Sequence, residues 1–332
     1  MPGLTRRLLL AVLATLASAV AASPAGASGH TLHTGVKPGP NTGIVDISTT
    51  LGFEDGVAAG TGMVISRSGQ VLTNNHVISG ATHFKVVNVS THRRYRATVV
   101  GYSVSRDIAV LQLANASNLR RIKLDRSFPL KVGLPVVARG NAEGRGGVPK
   151  TARGQIIALH QQIVAQDESG DSETLNDTIA TDAPVVPGYS GGPLEDARGR
   201  AIGIVTAGST SGPHRGFAIP IKQALQLAHR ITTGKSNSVV HVGPTAFLGV
   251  RLPNASDEAK IQSVVTGQAA DQAGLAAGDV ITSLNGKPIS SVTELRQIVL
   301  TLVPGKAVPI GWTDTNDVAQ TGTITPASGP PQ

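Results

Sequence analysis

Gly188-Tyr189-Ser190-Gly191-Gly192-Pro193 places one hydroxyl inside a run of glycines. A serine hydroxyl is a weak nucleophile until a base takes its proton. The oxyanion its attack creates needs two backbone N–H groups aimed at one point. Glycines around the serine let the chain bend to do this, with the amides of Gly188 and Ser190 as the donors. A glycine-rich β-turn would read the same way, so the stretch gains meaning only from partners elsewhere.

Two segments upstream supply such partners. Thr73-Asn74-Asn75-His76-Val77 puts a histidine directly after a predicted strand. Arg106-Asp107-Ile108-Ala109-Val110-Leu111 puts a carboxylate at the start of an apolar strand. A carboxylate held against His76 would fix its tautomer and stabilise its cation. Singly, His76 reads as a turn residue and Asp107 as a strand-end cap. Together the order His, Asp, Ser predicts a catalytic triad of His76, Asp107 and Ser190.

The surrounding pattern is short β-rich runs broken by Gly and Asn turns, which signals an all-β barrel or sandwich. The runs fall at 44–48, 61–65, 71–73, 84–89, 95–100, 108–112, 135–138, 154–158, 178–181, 201–205 and 216–219. Ser66-Arg67-Ser68-Gly69 and Ala197-Arg198-Gly199 read as tight turns between paired strands. After Pro220, the amphipathic stretch 221–231 predicts one helix closing the domain. The domain expected is 44–231, followed by a polar linker over 232–242 and a second domain over 243–326. In the latter, Ser291-Val292-Thr293-Glu294 is a capping box, with Leu295, Ile298, Val299 and Leu302 at helical spacing behind it. The closing Pro-Ala-Ser-Gly-Pro-Pro-Gln reads as a frayed tail.

A chain of 332 residues suits two domains better than one. It has no cysteine, so neither disulfides nor thiolate–metal sites hold it together. Arg6 and Arg7, an apolar run to about Ala22 and Ala25-Gly26-Ala27 read as a signal peptide over 1–27. The protein is therefore expected to be secreted or held in the cell envelope. Thr5-Arg6-Arg7-Leu8-Leu9 leaves open whether the general or the twin-arginine route is used. Residues 28–43 read as a flexible arm.

Net charge is +8. The basic runs 92–96 and 120–123 carry no nucleic-acid module or stacking motif, so they read as solvated strand ends and no nucleic-acid partner is expected. The nine histidines lack metal spacing, and neither a metal nor another cofactor is expected. Glu168, Asp171, Glu173 and Asp177 read as a mobile surface loop in preference to a calcium site.

The first domain resembles the chymotrypsin-like core of the HtrA (DegP/DegQ/DegS) serine proteases. The likeness rests on Thr-Asn-Asn-His76-Val, Arg-Asp107-Ile-Ala-Val-Leu, Gly-x-Ser190-Gly-Gly-Pro and Gly216-Phe-Ala-Ile-Pro220. The second domain resembles that family's PDZ domain in Phe247-Leu248-Gly249-Val250, Ala273-Gly274-Leu275, Gly278-Asp279-Val280-Ile281 and Leu284-Asn285-Gly286-Lys287. The short secreted actinobacterial type with one PDZ domain is most similar. The resemblance implies a mainly β fold: a chymotrypsin-like double β-barrel followed by a small α+β PDZ domain. It implies a serine endopeptidase acting through an acyl-enzyme in extracytoplasmic protein quality control, on unfolded or misfolded proteins. It also implies that Phe247, Leu248, Gly249 and Val250 receive peptide C-termini, with the helix after Ser291 as the far wall. In this fold the floor of the specificity pocket lies six residues before the serine, at Pro184, beside Val185 and Val186. Thr206 and Ala207 are expected in its wall. With no acid there, small or medium aliphatic residues are expected ahead of the scissile bond.

Tyr189 departs from the family, which has Asn or Asp before the nucleophile. This motivates an alternative: a protease-fold binding or chaperone protein with impaired catalysis. Family trimers form through aromatics of the N-terminal arm. Residues 28–43 contain none, so a homo-oligomer is left open.

Overall fold

The computed structural model describes residues 41–332, apart from 53–55, 128, 167–171, 210–214 and 254–255. The expected signal peptide and residues 28–40 of the expected arm lie outside the described residues. The chain divides between Val240 and His241 into two compact units.

The first unit contains two six-stranded barrels. β1 (Ile44–Leu51), β2 (Gly56–Val64), β3 (Gln70–Thr73), β4 (Ala81–Asn88), β5 (Arg94–Ser103) and β6 (Ile108–Leu113) run in the order β5-β4-β1-β2-β3-β6, and β5 pairs with β6 to close the ring. β7 (Pro135–Gly140), β8 (Lys150–Gln166), β9 (Ser172–Thr181), β10 (Pro193–Glu195), β11 (Ala201–Gly208) and β12 (Gly216–Pro220) form the second closed barrel. Closure leaves no barrel edge unpaired. Barrel strands such as β1 and β6 carry near-continuous apolar runs, buried on both faces. Val45, Ile47, Val71, Val110 and Leu111 are fully buried in the first barrel, as are Val136, Ala138, Ile156, Leu194 and Ile204 in the second. Helix α1 (Ile221–Thr232) follows Pro220 and buries Ile221, Ala224, Ala228 and Ile231 on one face.

Most expected strands prove longer, the runs at 154–158 and 178–181 most of all, and one strand of the barrels was missed. β8 spans seventeen residues and pairs with β9, which holds Glu173 and Asp177. Those two acids are thus strand residues, whereas Glu168 and Asp171 lie outside the described residues. β10 is only three residues long, too short to show a period. Part of the expected arm is ordered: the Asn41 side chain accepts from the buried Arg139 guanidinium at 2.5 Å, and Gly43 O accepts from Val64 N at 2.8 Å.

The second unit opens with the short strand β13 (His241–Val242). β14 (Thr245–Phe247) pairs with β21 (Ala327–Gly329), and β15 (Val250–Arg251) pairs with β16 (Ser263–Val264). β17 (Val280–Leu284), β18 (Lys287–Pro288), β19 (Val308–Thr313) and β20 (Ala319–Ile324) form a sheet in the order β18-β17-β19-β20. With α2 (Ala269–Gln272) and α3 (Val292–Val299) they enclose Leu248, Ile261, Ile281, Leu284, Leu295, Ile298 and Trp312. The Ser291 side chain caps α3 by accepting from Glu294 N at 3.2 Å. Glu294 in turn accepts from Ser290 N and Oγ at 2.8 and 2.7 Å, which holds its carboxyl below the usual range. The expected frayed tail is corrected by β21. Strand pairing uses backbone groups alone, and Gly329 lets the Phe247 ring lie directly against it.

Candidate active site

Each barrel delivers its part of the site from a strand end. Beyond β3 the chain turns at Asn75, where Ile78 N and Ser79 N both donate to Asn75 O at 2.9 Å, and the turn carries His76. Ahead of β6, a 3₁₀ turn over Val104–Arg106 leads into Asp107 at φ 48, ψ 47. This left-handed conformation is one that aspartate tolerates better than most side chains. Asn74 Nδ2 holds it by donating to Asp107 O at 2.8 Å.

That backbone kink turns the carboxylate toward the imidazole. Asp107 is 4% exposed, and its oxygens lie 3.0 and 2.9 Å from His76 Nδ1. Oδ1 also accepts from His76 N at 3.0 Å, and Oδ2 accepts from Thr206 Oγ1. An ionised carboxylate only accepts, so Nδ1 carries the proton of the neutral ring and Nε2 keeps its lone pair. His76 Nε2 is buried and has no hydrogen-bond partner among the described residues. An unpaired buried acceptor costs roughly 1–3 kcal/mol, a cost that an arriving O–H or N–H donor removes.

Ser190 lies in the same place. Its carbonyl accepts from Thr61 N at 2.8 Å, and an added Cβ on Gly60 would touch both that carbonyl and the side chain of Val77, the neighbour of His76. On the far side, Gly191 N donates to Val205 O at 2.9 Å, next to the Thr206 that binds Asp107. The Asp107–His76 link is therefore formed, whereas a bond from Ser190 Oγ to Nε2 is not.

The loop before the serine orients its amides. Pro187 O accepts from Glu143 N at 2.8 Å, which directs the other end of that peptide, Gly188 N–H, the opposite way. Neither Gly188 N nor Ser190 N donates to any described residue. Gly188 has φ +92, and a Cβ there would lie 2.0 Å from Asn141 O. Gly191 has φ +82, with Thr61 O 2.0 Å from the corresponding position. Only glycine fits either place. The Tyr189 side chain turns into the second barrel: it is 4% exposed and packs in that barrel's core with Val136, Ile156, Val185 and Leu194. Burial pushes its phenol above the ordinary value.

The expected pocket residues separate. Val185 is buried, and its Cγ2 lies 3.2 and 3.0 Å from the Cβ positions of Gly208 and Gly216, so it sits between β11 and β12. Pro184 and Val186 are exposed. Ala207 packs with Ile163, Leu175 and Phe217. The Thr206 side chain also serves Asp107, donating to its Oδ2. A hydroxyl interrupting the apolar run Ile202–Ala207 was the available signal. The roles of Asn74, inside the histidine motif, and of Thr61, at the start of an expected strand, were also missed; both are wholly buried polar residues.

In the second unit, Gly249 adopts φ +80 against Gln268. Leu248 O and Gly249 O accept from Ala270 N and Val265 N at 2.7 and 2.8 Å. The amides of Leu248 and Gly249 donate to no described residue.

Comparison with known proteins fits this geometry. Residues 60–204 match the trypsin-like peptidase domain family, and residues 246–318 match the PDZ domain family. The chain is 34% identical over 303 residues to serine protease PepD of Mycobacterium tuberculosis, covering 85% of this chain and 63% of that protein. It is 36% identical over 271 residues to periplasmic serine endoprotease DegP of Escherichia coli K12, covering 77% and 54%. It thus spans roughly half to two thirds of the length of these relatives. Among solved structures, HtrA-type protease AlgW with a tripeptide aligns with a TM-score of 0.51 and 28% identity, over 88% of this chain and 95% of that one. The chain belongs to the HtrA family, with a trypsin-like peptidase domain followed by one PDZ domain.

Proposed function

We propose that the chain is an extracytoplasmic serine endopeptidase that cleaves unfolded or misfolded proteins through an acyl-enzyme. The observation that carries this reading is the buried, lone-pair-bearing Nε2 of His76, braced by Asp107 beside the Ser190 loop. Ser190 Oγ rotates onto Nε2, gives up its proton and attacks the peptide carbonyl. The free amides of Gly188 and Ser190 receive the oxyanion, and His76 returns the proton to the leaving amine. Water, deprotonated by the same nitrogen, then releases the acyl group. Asp107 stays ionised throughout and stabilises the imidazolium.

Val185 between Gly208 and Gly216 favours Val, Ala or Leu ahead of the cleaved bond. In the PDZ unit, the Leu248 and Gly249 amides suit a terminal carboxylate, with Phe247 and Val250 flanking them. A C-terminal peptide should bind there, and its amidated form should not. The extracytoplasmic assignment is supported by the periplasmic location of the DegP relative and by the expected signal peptide.

The rival reading, a binding protein with a silenced protease fold, rests on Tyr189. Its ring is buried away from the free amides, so it does not block them. A positional-scanning peptide library with wild type and Ser190→Ala tests the choice. Turnover by wild type alone, strongest with aliphatic residues, supports the peptidase. Equal inactivity of both supports the scaffold, and a strong Lys or Arg preference overturns the pocket assignment.

A further inference from the structure

Thr61 sits on β2 of the first barrel within Gly60-Thr61-Gly62, and it is fully buried. Every polar atom it has is engaged. Its N–H donates to Ser190 O at 2.8 Å, and its Oγ1 donates to Gly188 O at 2.7 Å. Oγ1 also accepts from Asn141 N at 2.8 Å, and its carbonyl accepts from Thr73 Oγ1 at 2.7 Å. One residue of the first barrel therefore grips the nucleophile loop of the second and the segment beginning at Asn141. It also binds the end of the strand that leads to His76.

We propose that Thr61 is a positioning residue whose hydroxyl clamps the two barrels together and fixes the oxyanion hole. The inference rests on the peptidase reading and deepens it. Gly188 lies between two peptide groups. The one before it is set by Glu143 N on Pro187 O, and the one after it by Thr61 Oγ1 on Gly188 O. Glu143 is itself held two residues beyond Asn141, whose amide ends on the same Thr61 oxygen. A glycine at φ +92 has little torsional preference of its own, so these bonds decide where its N–H points. Removing the hydroxyl leaves Gly188 O and Asn141 N unpaired together, which frees the Gly188–Tyr189 peptide and loosens the Asn141 segment whose Glu143 N holds Pro187 O, and with it the Gly188 N–H.

The test uses the full chain as wild type, Thr61→Val and Thr61→Ser, each normalised to sites titrated by a fluorophosphonate. Thr61→Val is expected to lower kcat about 10- to 100-fold while KM changes less than about 3-fold, because the hole acts on the transition state. Affinity for a valine boronic-acid peptide, which forms a tetrahedral adduct, should fall by a similar factor. Thr61→Ser keeps the hydroxyl and should restore both. Wild-type kcat per titrated site in Thr61→Val overturns the clamp, since a purely structural role lowers only the number of sites. Thr61→Ser as impaired as Thr61→Val overturns it too. If Thr61→Val does not fold, Thr61→Ser decides alone: near-wild-type kcat and boronate affinity support the clamp, and their loss overturns it. A wild type that takes up no fluorophosphonate removes the peptidase reading itself, a separate result.

Discussion

The two barrels share a strand count and a closed topology, yet they furnish the site in different currencies. The first supplies side chains. His76 and Asp107 stand at strand ends; their side chains are held by each other and by Thr206, and the Asp107 backbone is held by Asn74. The second supplies mainly backbone. Its two free amides depend on a loop with little regular structure, braced by Glu143, Thr61 and the buried Tyr189 ring. Side-chain chemistry survives small backbone shifts, whereas an amide dipole is lost when one peptide turns. The second barrel is therefore where this site is easiest to disable without touching a reactive group.

Substitutions can break that contrast. On the first-barrel side, Asp107→Asn should lower kcat by on the order of 10⁴-fold at neutral pH, since an amide N–H facing Nδ1 selects the wrong tautomer. Peptide hydrolysis measures it, and a loss under tenfold would show that the carboxylate is not part of the machinery. On the second-barrel side, Gly188→Ala forces a methyl to within 2.0 Å of Asn141 O at a φ of +92. The loop must move, and kcat should fall roughly 10²- to 10³-fold, as for a lost oxyanion donor, with the His76–Asp107 pair undisturbed. Unchanged turnover would mean that this amide is not used.

A smaller effect sharpens the contact between them. Asp46 on β1 is buried, and its Oδ2 accepts from Gly147 N at 3.0 Å in the loop that also carries Asn141 and Glu143. Burial raises its carboxyl from 3.8 to about 6, against the opposing pull of the Gly147 amide. The folded state thus holds this proton more tightly than the unfolded chain. The stabilisation is complete below about pH 4 and is lost as pH rises through about 6. Asp46→Asn cannot titrate, so from pH 4 to 7.5 the stability difference should shift by up to about 3 kcal/mol in favour of the variant. Urea unfolding across that range reads it, and parallel pH profiles would contradict the assignment.

What the sequence disclosed follows the same division. Triad candidates at strand ends were legible because a reactive side chain is written in the residue name. Short β-rich runs between Gly and Asn turns exposed most strands of both barrels, and Ser291 with Glu294 announced α3. Less legible were features that depend on backbone. β10 offers three residues and no period, and the β8–β9 hairpin carries His160, Gln161 and Gln162, whose polarity reads as loop. β21 lies between prolines at 326 and 330, a composition that suggests disorder, though its three residues pair with β14. The bond from Thr206 to Asp107 was not legible either, because position along the chain does not say which way a hydroxyl turns.

Covalent labelling with a fluorophosphonate, followed by mass spectrometry of the modified peptide, tests most directly whether residues 76, 107 and 190 act as one unit. A single adduct on Ser190 in wild type, absent from His76→Ala, is the predicted outcome. An adduct on another residue, or equal labelling with and without the imidazole, would contradict it.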